Sequence, residues 1–439
     1  MTRALVFGMG QAGEAVARQL LARGWDVATA DDRGGEDAVA RASSLGVELA
    51  VGPDDAAIDA LVAAVDVVFP APGVPIGHRV ITSAHGRGVP VWSEFELVSQ
   101  WDHPPFVAVT GTNGKTTVCT LVTEMLKAGG RRVVAAGNNE LPLVDALADP
   151  LDAIVVEASS FRLEFADSFH PTVGTWLNVA EDHLDWHPSM DHYVAAKAKV
   201  WMNQTADDTA VANADDPVVM AAAHGLRSRL RTFSLTDAHA SAFLDGDNLV
   251  VLGEVLVTRD ALLRAWPHDV MNALAASLTA LAAGADRASC QRVLKEFRGL
   301  PHRVELIGDA GGVRFYDDSK ATTPASVVTA VSAFDSVVLI AGGRNKGLDL
   351  GALAAVADRV RAVVAIGEAA EEVGAAFAGR RPVAMATSMD EAVGLARDQA
   401  EPGDAVLLSP GCSSFDWYRN YAERGRDFAR AVAELVGAQ

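Results

Sequence analysis

The sequence is short of cysteine, aromatic residues and basic charge. Of 439 residues three are cysteine and 6% are aromatic, and 37 Lys plus Arg stand against 57 Asp plus Glu, for a formal net charge of −20. Each shortage removes a class of function. Cys119, Cys290 and Cys412 lie far apart with no C-x-x-C pair, which argues against a disulfide framework or a structural zinc site and fits a reducing compartment. The acidic balance would repel a phosphate backbone over most of the surface, so no nucleic-acid partner is expected. A small anion is still compatible, because a local array of N–H groups, lysines and Mg2+ overrides the mean field. No apolar run reaches the ~18 residues of a membrane span, no cleavable leader pattern is seen at the start, and no fixed-period repeat is present. A cytoplasmic monomer with no membrane partner is expected.

What the chain does have is length and apolar content. Half of its residues are hydrophobic, and at roughly 150 residues per domain it is long enough for about three. Short β-branched runs alternate with alanine- and leucine-rich helical stretches, the pattern of α/β domains with parallel sheets. It predicts strands over 4–7, 26–30 and 67–69, then 106–109, 153–156 and 173–177, and finally 337–340, 362–366 and 405–408. Helices are predicted over 11–23, 118–127, 193–201, 272–283 and 290–297. The breakers Asp102-His103-Pro104-Pro105 and Arg298-Gly299-Leu300-Pro301 divide the chain into 1–97, 98–298 and 299–439, the second breaker reading as a hinge.

Gly8-Met9-Gly10-Gln11-Ala12-Gly13 follows a strand and opens a helix, the context in which glycines admit a diphosphate to a helix N-terminus. Asp31 and Asp32 end the next strand, near the spacing at which a carboxylate meets a ribose. Taken alone this describes a dinucleotide site, and a tight turn in a nucleotide fold that binds no dinucleotide accounts for it equally well. Thr110-Gly111-Thr112-Asn113-Gly114-Lys115-Thr116-Thr117 is sharper, since it lies between an apolar strand and a helix, where a phosphate loop must lie. Lys115 can reach the β/γ-phosphates and the Thr116 hydroxyl can ligate Mg2+. The loop is a variant, because the usual G-x-x-x-x-G-K-[ST] pattern would place glycine at Val109. Glu157 ends an apolar strand and is placed to hold a metal or to cap the next helix. Further on, 178–187 packs five ionisable groups into seven residues, with His183 the best metal candidate and no H-E-x-x-H helix. Lys197 and Lys199 are about 200° apart around their helix, so only one can face a site.

Together these residues resemble the Mur ligases, the ATP-dependent amino-acid-adding enzymes of peptidoglycan precursor synthesis, over essentially the whole chain. Gly111 to Thr117, Glu157, His183 and Tyr193-Val194-Ala195-Ala196-Lys197 are similar to the family's ATPase domain. Gly299-Leu300-Pro301-His302-Arg303, Asp318-Ser319-Lys320-Ala321-Thr322 and Leu408-Ser409-Pro410-Gly411-Cys412-Ser413-Ser414 are similar to its D-glutamate-adding branch. An Asp-Asn-Pro-Arg motif, expected for diaminopimelate or lysine addition, is replaced by Gly342-Gly343-Arg344-Asn345-Lys346-Gly347.

The resemblance implies a Rossmann-like N-terminal domain that binds a UDP substrate, a central P-loop ATPase α/β domain and a C-terminal Rossmann-like α/β domain for the amino acid. It implies ATP-dependent addition of D-glutamate to UDP-N-acetylmuramoyl-L-alanine through an acyl phosphate. For the UDP substrate it gives Gly10, Gln11, Ala12, Asp31, Asp32, Arg33 and Gly73. For ATP it gives Gly111, Thr112, Asn113, Gly114, Lys115, Thr116, Thr117, Asn138, Asn272, Arg303 and Asp318. For glutamate it gives Lys320, Thr322, Lys346, Ser414, Phe415 and Tyr421. Two Mg2+ ions are implied, one held by Thr116 and Glu157 and a second by His183, with Lys197 carbamylated to orient the metal; Lys115, Lys197 and His183 are the catalytic set. Three positions depart from the family pattern: Asp269 after His268, Asn138-Asn139-Glu140 in place of a glycine-containing loop, and Thr323 after Thr322. An L-glutamate-adding variant or a carboxylate–amine ligase like folylpolyglutamate synthase is the alternative on the same scaffold. A nicotinamide oxidoreductase leaves the phosphate loop and Glu157 without a role, and a nucleotide switch would need an N-K-x-D motif.

Overall fold

The computed structural model describes residues 2–137, 141–148 and 150–437. Among the described residues three sheets form, each around an apolar strand that is buried on both faces. The first comprises β1 Arg3–Phe7, β2 Asp26–Asp31, β3 Leu49–Val51 and β4 Val67–Pro70, all parallel, in the order β3-β2-β1-β4. β1 is apolar from Ala4 to Phe7 and is buried there because helices cover both faces. Its neighbours run off in opposite directions, so a crevice opens beyond Phe7, where the glycine turn begins.

The second sheet is built from β5 Phe106–Thr110, β6 Val133–Gly137, β7 Ala153–Glu157, β8 Pro171–Trp176, β9 Thr209–Asn213, β10 Arg229–Ser234, β11 Ala242–Asp245, β12 Asn248–Val251 and β13 Glu254–Thr258. Its order is β13-β12-β11-β10-β9-β8-β5-β7-β6. β5 is buried throughout and lies between β7 and β8, which makes its carboxyl end the switch point of this sheet. The sequence pattern anticipates β5, β7 and β8. It misses β6, β9, β10 and the antiparallel meander β11 to β13, all four to six residues long and too short to stand out from loop. Gly174 in β8 admits Trp201 of the helix Met190–Met202: a Cβ there would come 2.8 Å from the indole.

The third sheet contains β14 Glu305–Ala310, β15 Val313–Asp317, β16 Val337–Gly342, β17 Val360–Ile366, β18 Val383–Ala386 and β19 Ala405–Gly411, in the order β14-β15-β19-β16-β17-β18. β14 is antiparallel to β15 and the rest are parallel. β16 sits between β17 and β19, so the loops after β16 and β19 meet at the switch point of this sheet. The chain divides into two compact units, one of residues 1–179, 183–265 and 269–297, the other of 180–182, 266–268 and 298–439. Among the described residues no helix is long and apolar enough to cross a membrane.

Candidate active site

The loop after β5 turns through Gly111 (φ 152°) and Gly114 (φ 85°), backbone values that side chains resist. A Cβ at Gly114 would lie 2.6 Å from the Asn272 amide oxygen, so Asn272 rests directly against the loop. The helix Lys115–Ala128 follows, with Gly114 as an N-cap that supplies no side chain, leaving the N-terminal end of the helix open to an anion. The loop is clamped from across the sheet by Asn178. Its carbonyl accepts from the Thr112 N–H (3.1 Å), its side-chain oxygen accepts from the Asn113 N–H (2.8 Å), and its side-chain NH2 donates to the Asn113 carbonyl (3.1 Å). The amides of Thr112 and Asn113 are therefore engaged in holding the loop. Lys115 folds back, its Nζ donating to the carbonyls of Gly111 (2.8 Å) and Thr112 (2.9 Å).

Glu157 is buried at the end of β7, in register with Val109. Burial, then the Glu157 charge, push the buried Cys119 thiol far up, and Lys115 offsets part of this. From the helix Met190–Met202, Lys197 is 1% exposed and its Nζ donates to the Gly111 carbonyl at 2.9 Å, 4.4 Å from the centre of the Tyr193 ring. The Tyr193 hydroxyl meets Thr112 Oγ1 at 3.2 Å. Lys199 points elsewhere, donating to the Glu164 carbonyl and to Asp167 at 2.9 Å. His183 adopts φ 56° and sets its ring edge-on to Phe161 at 4.6 Å. Trp186 donates to the Val74 carbonyl (2.7 Å), bringing this loop against the first sheet's turns. Asp269 pairs with Arg264 at 3.4 Å in the first turn of the helix Pro267–Ala282, where a carboxylate suits the helix dipole. Asn138, Asn139 and Glu140 lie outside the described residues.

At the rim of the first sheet Gly13 packs so closely that a Cβ would stand 2.0 Å from the Gly8 carbonyl, which fixes the helix against the strand. Asp31 organises the turn, accepting from the amides of Met9 (2.8 Å), Arg33 (2.9 Å) and Gly34 (3.1 Å). Burial pushes its carboxyl up, but these amides and the Arg33 charge outweigh that and hold it below the usual range. Gly10, Gln11, Asp32, Arg33 and Gly73 are exposed along this rim and Ala12 is half-buried.

In the second unit Asp318 follows β15, buried, with the Ser409 hydroxyl donating to it at 2.7 Å. Burial pushes its carboxyl up to about 7 against the opposing pull of Ser409 and Arg303. A raised folded-state value means stability that is fully present below the usual carboxylate range and is lost as pH rises through about 7, on the order of 4 kcal/mol at most. Asp318→Asn should accordingly flatten the decline in urea-unfolding stability between about pH 4 and 7, and an unchanged or steeper decline would contradict the assignment. Lys320 Nζ lies 5.1 Å from the centre of the Tyr421 ring. Lys346 and Ser414 follow the neighbouring strands β16 and β19, whose loops pair through Arg344 and Ser413. Thr322 is half-buried and Phe415 is 63% exposed. Thr323 caps the helix Pro324–Val331, its hydroxyl accepting from the Ser326 amide at 3.3 Å, which gives this departure a structural role.

Arg424 was not anticipated. Buried on the helix Tyr421–Gly437, it donates to Ser319 Oγ (2.9 Å) and carbonyl (2.8 Å) and to the carbonyls of Cys412 (3.2 Å) and Ser413 (3.3 Å). It thereby joins the loops carrying Lys320 and Ser414. The available signal was an arginine on the apolar stripe of a helix.

Three family models cover most of the chain: the MurD-like N-terminal domain over residues 2–93, the Mur ligase middle domain over 109–280 and the Mur ligase glutamate ligase domain over 302–412. The chain is 42% identical to the UDP-N-acetylmuramoylalanine--D-glutamate ligase of Desulfosudis oleivorans over 99% of its length and 96% of the relative's. It is 40% identical to the enzyme of that name from Syntrophus aciditrophicus, over 98% of this chain and 97% of that one. The chain belongs to the Mur ligase family. Solved structures agree in fold: a pseudomurein peptide ligase type C from Methanothermus fervidus aligns over 99% of this chain and all of its own at TM-score 0.63 and 19% identity. A UDP-N-acetylmuramate-alanine ligase from Thermotoga maritima aligns over the same shares at TM-score 0.61, also 19% identical. As a Mur ligase the protein is an ATP-dependent enzyme, and Mg2+ is its family's metal.

Proposed function

We propose that this Mur ligase joins D-glutamate to UDP-N-acetylmuramoyl-L-alanine, with residues 1–97 binding the UDP substrate, 98–298 binding ATP and 299–439 binding glutamate. The observation that carries this reading is the likeness to D-glutamate ligases along the whole chain, at 40–42% identity. A carboxylate is a poor acyl donor. One of its oxygens therefore attacks the γ-phosphorus of ATP, the bond to ADP breaks, and an acyl phosphate forms. The glutamate amine then attacks the carbonyl carbon, the carbon–oxygen bond to phosphate breaks, and amide and phosphate leave with loss of the amine's proton.

Lys115 swings from its own loop carbonyls to the transferring phosphoryl group and neutralises charge there. The phosphate cradle fits a nucleotide, since glycine stands wherever a Cβ would crowd the loop. Thr116 and Glu157 would hold one Mg2+ and His183, with the Lys197 carbamate, a second, whose charge would stabilise the transferring phosphoryl group when bound. Support for the carbamate comes from Gly111. Its carbonyl accepts from both Lys115 and Lys197, so two ammonium groups would lie within about 6 Å of each other. At an effective dielectric of ~20 that repulsion is about 3 kcal/mol, and carbamylation of Lys197 turns it into attraction. Lys320, Thr322, Lys346 and Ser414, with the aromatic groups Phe415 and Tyr421, are the glutamate set. Arg303, Asp318 and Asn272 complete the nucleotide set, with Asn138 assigned by likeness alone.

The test is ATP-dependent phosphate release in the presence of UDP-N-acetylmuramoyl-L-alanine with D-glutamate, L-glutamate or neither. Sustained release with the D-enantiomer only is expected. Equal turnover with L-glutamate, or release that needs no UDP substrate, would overturn the proposal.

A further inference from the structure

We infer that the protein carries a transition-metal site apart from the phosphate loop, formed by His187, His192 and Glu164 and taking one divalent ion of the zinc class. The three residues come from separate segments: Glu164 ends the helix Ser160–Glu164, His187 lies in the loop before Ser189, and His192 is in the first turn of the helix Met190–Met202. His187 Nδ1 lies 2.9 Å from His192 Nδ1, and His192 Nε2 lies 3.5 Å from Glu164 Oε1. One ligand atom from each residue falls within 4.8 Å of the others. Around a tetrahedral ion with bonds of ~2.0–2.2 Å, ligand atoms stand about 3.2–3.6 Å apart; the two contacts use opposite nitrogens of His192, so the Glu164 carboxylate has to turn toward the Nδ1 edge of that ring to close the set.

The chemistry of the donors favours this use. Two imidazoles that aim the same nitrogen at each other need one to donate and the other to accept, whereas an ion between them takes a lone pair from both. His187 Nε2 is 2.9 Å from Ser160 Oγ, a contact that orients the ring and, with the proton on Nε2, leaves Nδ1 as the ligand. His192 and Glu164 are partly exposed, which provides an entry path and room for water as a fourth ligand. Lys199, on the Glu164 carbonyl and Asp167, is the nearby cation on the outer side. Two nitrogens and one carboxylate suit Zn2+, Co2+ or Ni2+ and are a poor set for Mg2+, which takes oxygen ligands. Occupancy would tie the Ser160–Glu164 helix to the helix that bears Lys197, with the His187 ring 5.1 Å from that of Tyr193.

Co2+ is the probe. The full chain, stripped of metal by a chelator and kept in excess Mg2+, should bind one equivalent of Co2+ with visible d–d absorption that Zn2+ displaces. His192→Gln should weaken Co2+ binding at least ~10-fold while amide formation with Mg2+ persists, and His183→Gln should leave the absorption in place. Glu164→Gln, checked for folding by circular dichroism, should weaken it similarly and covers the case in which His192→Gln does not fold. Absence of absorption in the unmodified protein would overturn the inference. So would its survival in both His192→Gln and Glu164→Gln, or its loss in His183→Gln with retention in His192→Gln, since the ion would then sit at the catalytic position.

Discussion

Lys115→Ala is expected to lower the rate of amide formation by at least ~10²–10³-fold, the scale on which a preorganised charge at a developing anion acts. Binding of UDP-N-acetylmuramoyl-L-alanine in the absence of nucleotide should be nearly unchanged. The separation follows from the fold. Lys115 begins the helix after β5 at the switch point of the second sheet, whereas the proposed uridine contacts line the turns of the first. The variant loses the Lys115 contacts to the Gly111 and Thr112 carbonyls, while the Asn178 clamp on Thr112 and Asn113 still holds the loop. Phosphate release gives the rate and calorimetry gives the UDP-substrate affinity. A variant that turns over near the normal rate would remove the phosphate loop from the account.

Lys197→Ala should be nearly inactive and should recover part of its activity when a small carboxylate such as acetate is added. The missing group is an anion at a buried position, and a diffusible anion can occupy the space left by the side chain. Lys199→Ala should be mild, because its interactions with the Glu164 carbonyl and Asp167 lie on the outer side of the same helix, where an ion pair with an exposed carboxylate contributes about 0–1 kcal/mol. The measurement is the rate of each variant across an acetate titration. An essential Lys199 with a dispensable Lys197 would invert the assignment, and inactive Lys197→Ala that no carboxylate restores would argue against the carbamate.

That the two lysines part in this way was legible from helical geometry alone, since residues two apart point about 200° from each other. The strands β5 and β7 were legible too, from apolar runs that end in a glycine loop and in an acid, as were β8 and the third sheet's central strands from their apolar runs. The helix Lys115–Ala128 begins three residues before the expected 118 because the phosphate-loop residues Lys115, Thr116 and Thr117 themselves form its first turn. The meander β11 to β13 escaped because its strands are only four or five residues long and Gly246 and Gly253 break them into hairpins, leaving no run long enough to separate from loop. What no local pattern could reveal are the long-range polar clamps. Asn178 reaches the phosphate loop from 65 positions away, and Arg424 reaches Ser319 across 105. Both act mainly on backbone groups, which leave no mark on the residue types they meet. Thr323 stood out as a departure from the family pattern, and its capping of the next helix became visible only with the backbone in place.

The central claim is that this chain activates a carboxylate by phosphorylating it, and an oxygen label tests that claim most directly. UDP-N-acetylmuramoyl-L-alanine carrying 18O in both oxygens of its alanyl carboxylate is turned over with ATP and D-glutamate, and the released phosphate is weighed by mass spectrometry. The account predicts one 18O in each phosphate released, because the oxygen that attacks phosphorus departs with it when the amine displaces it. Phosphate without label, at full amide yield, would contradict the acyl phosphate and the roles built on it.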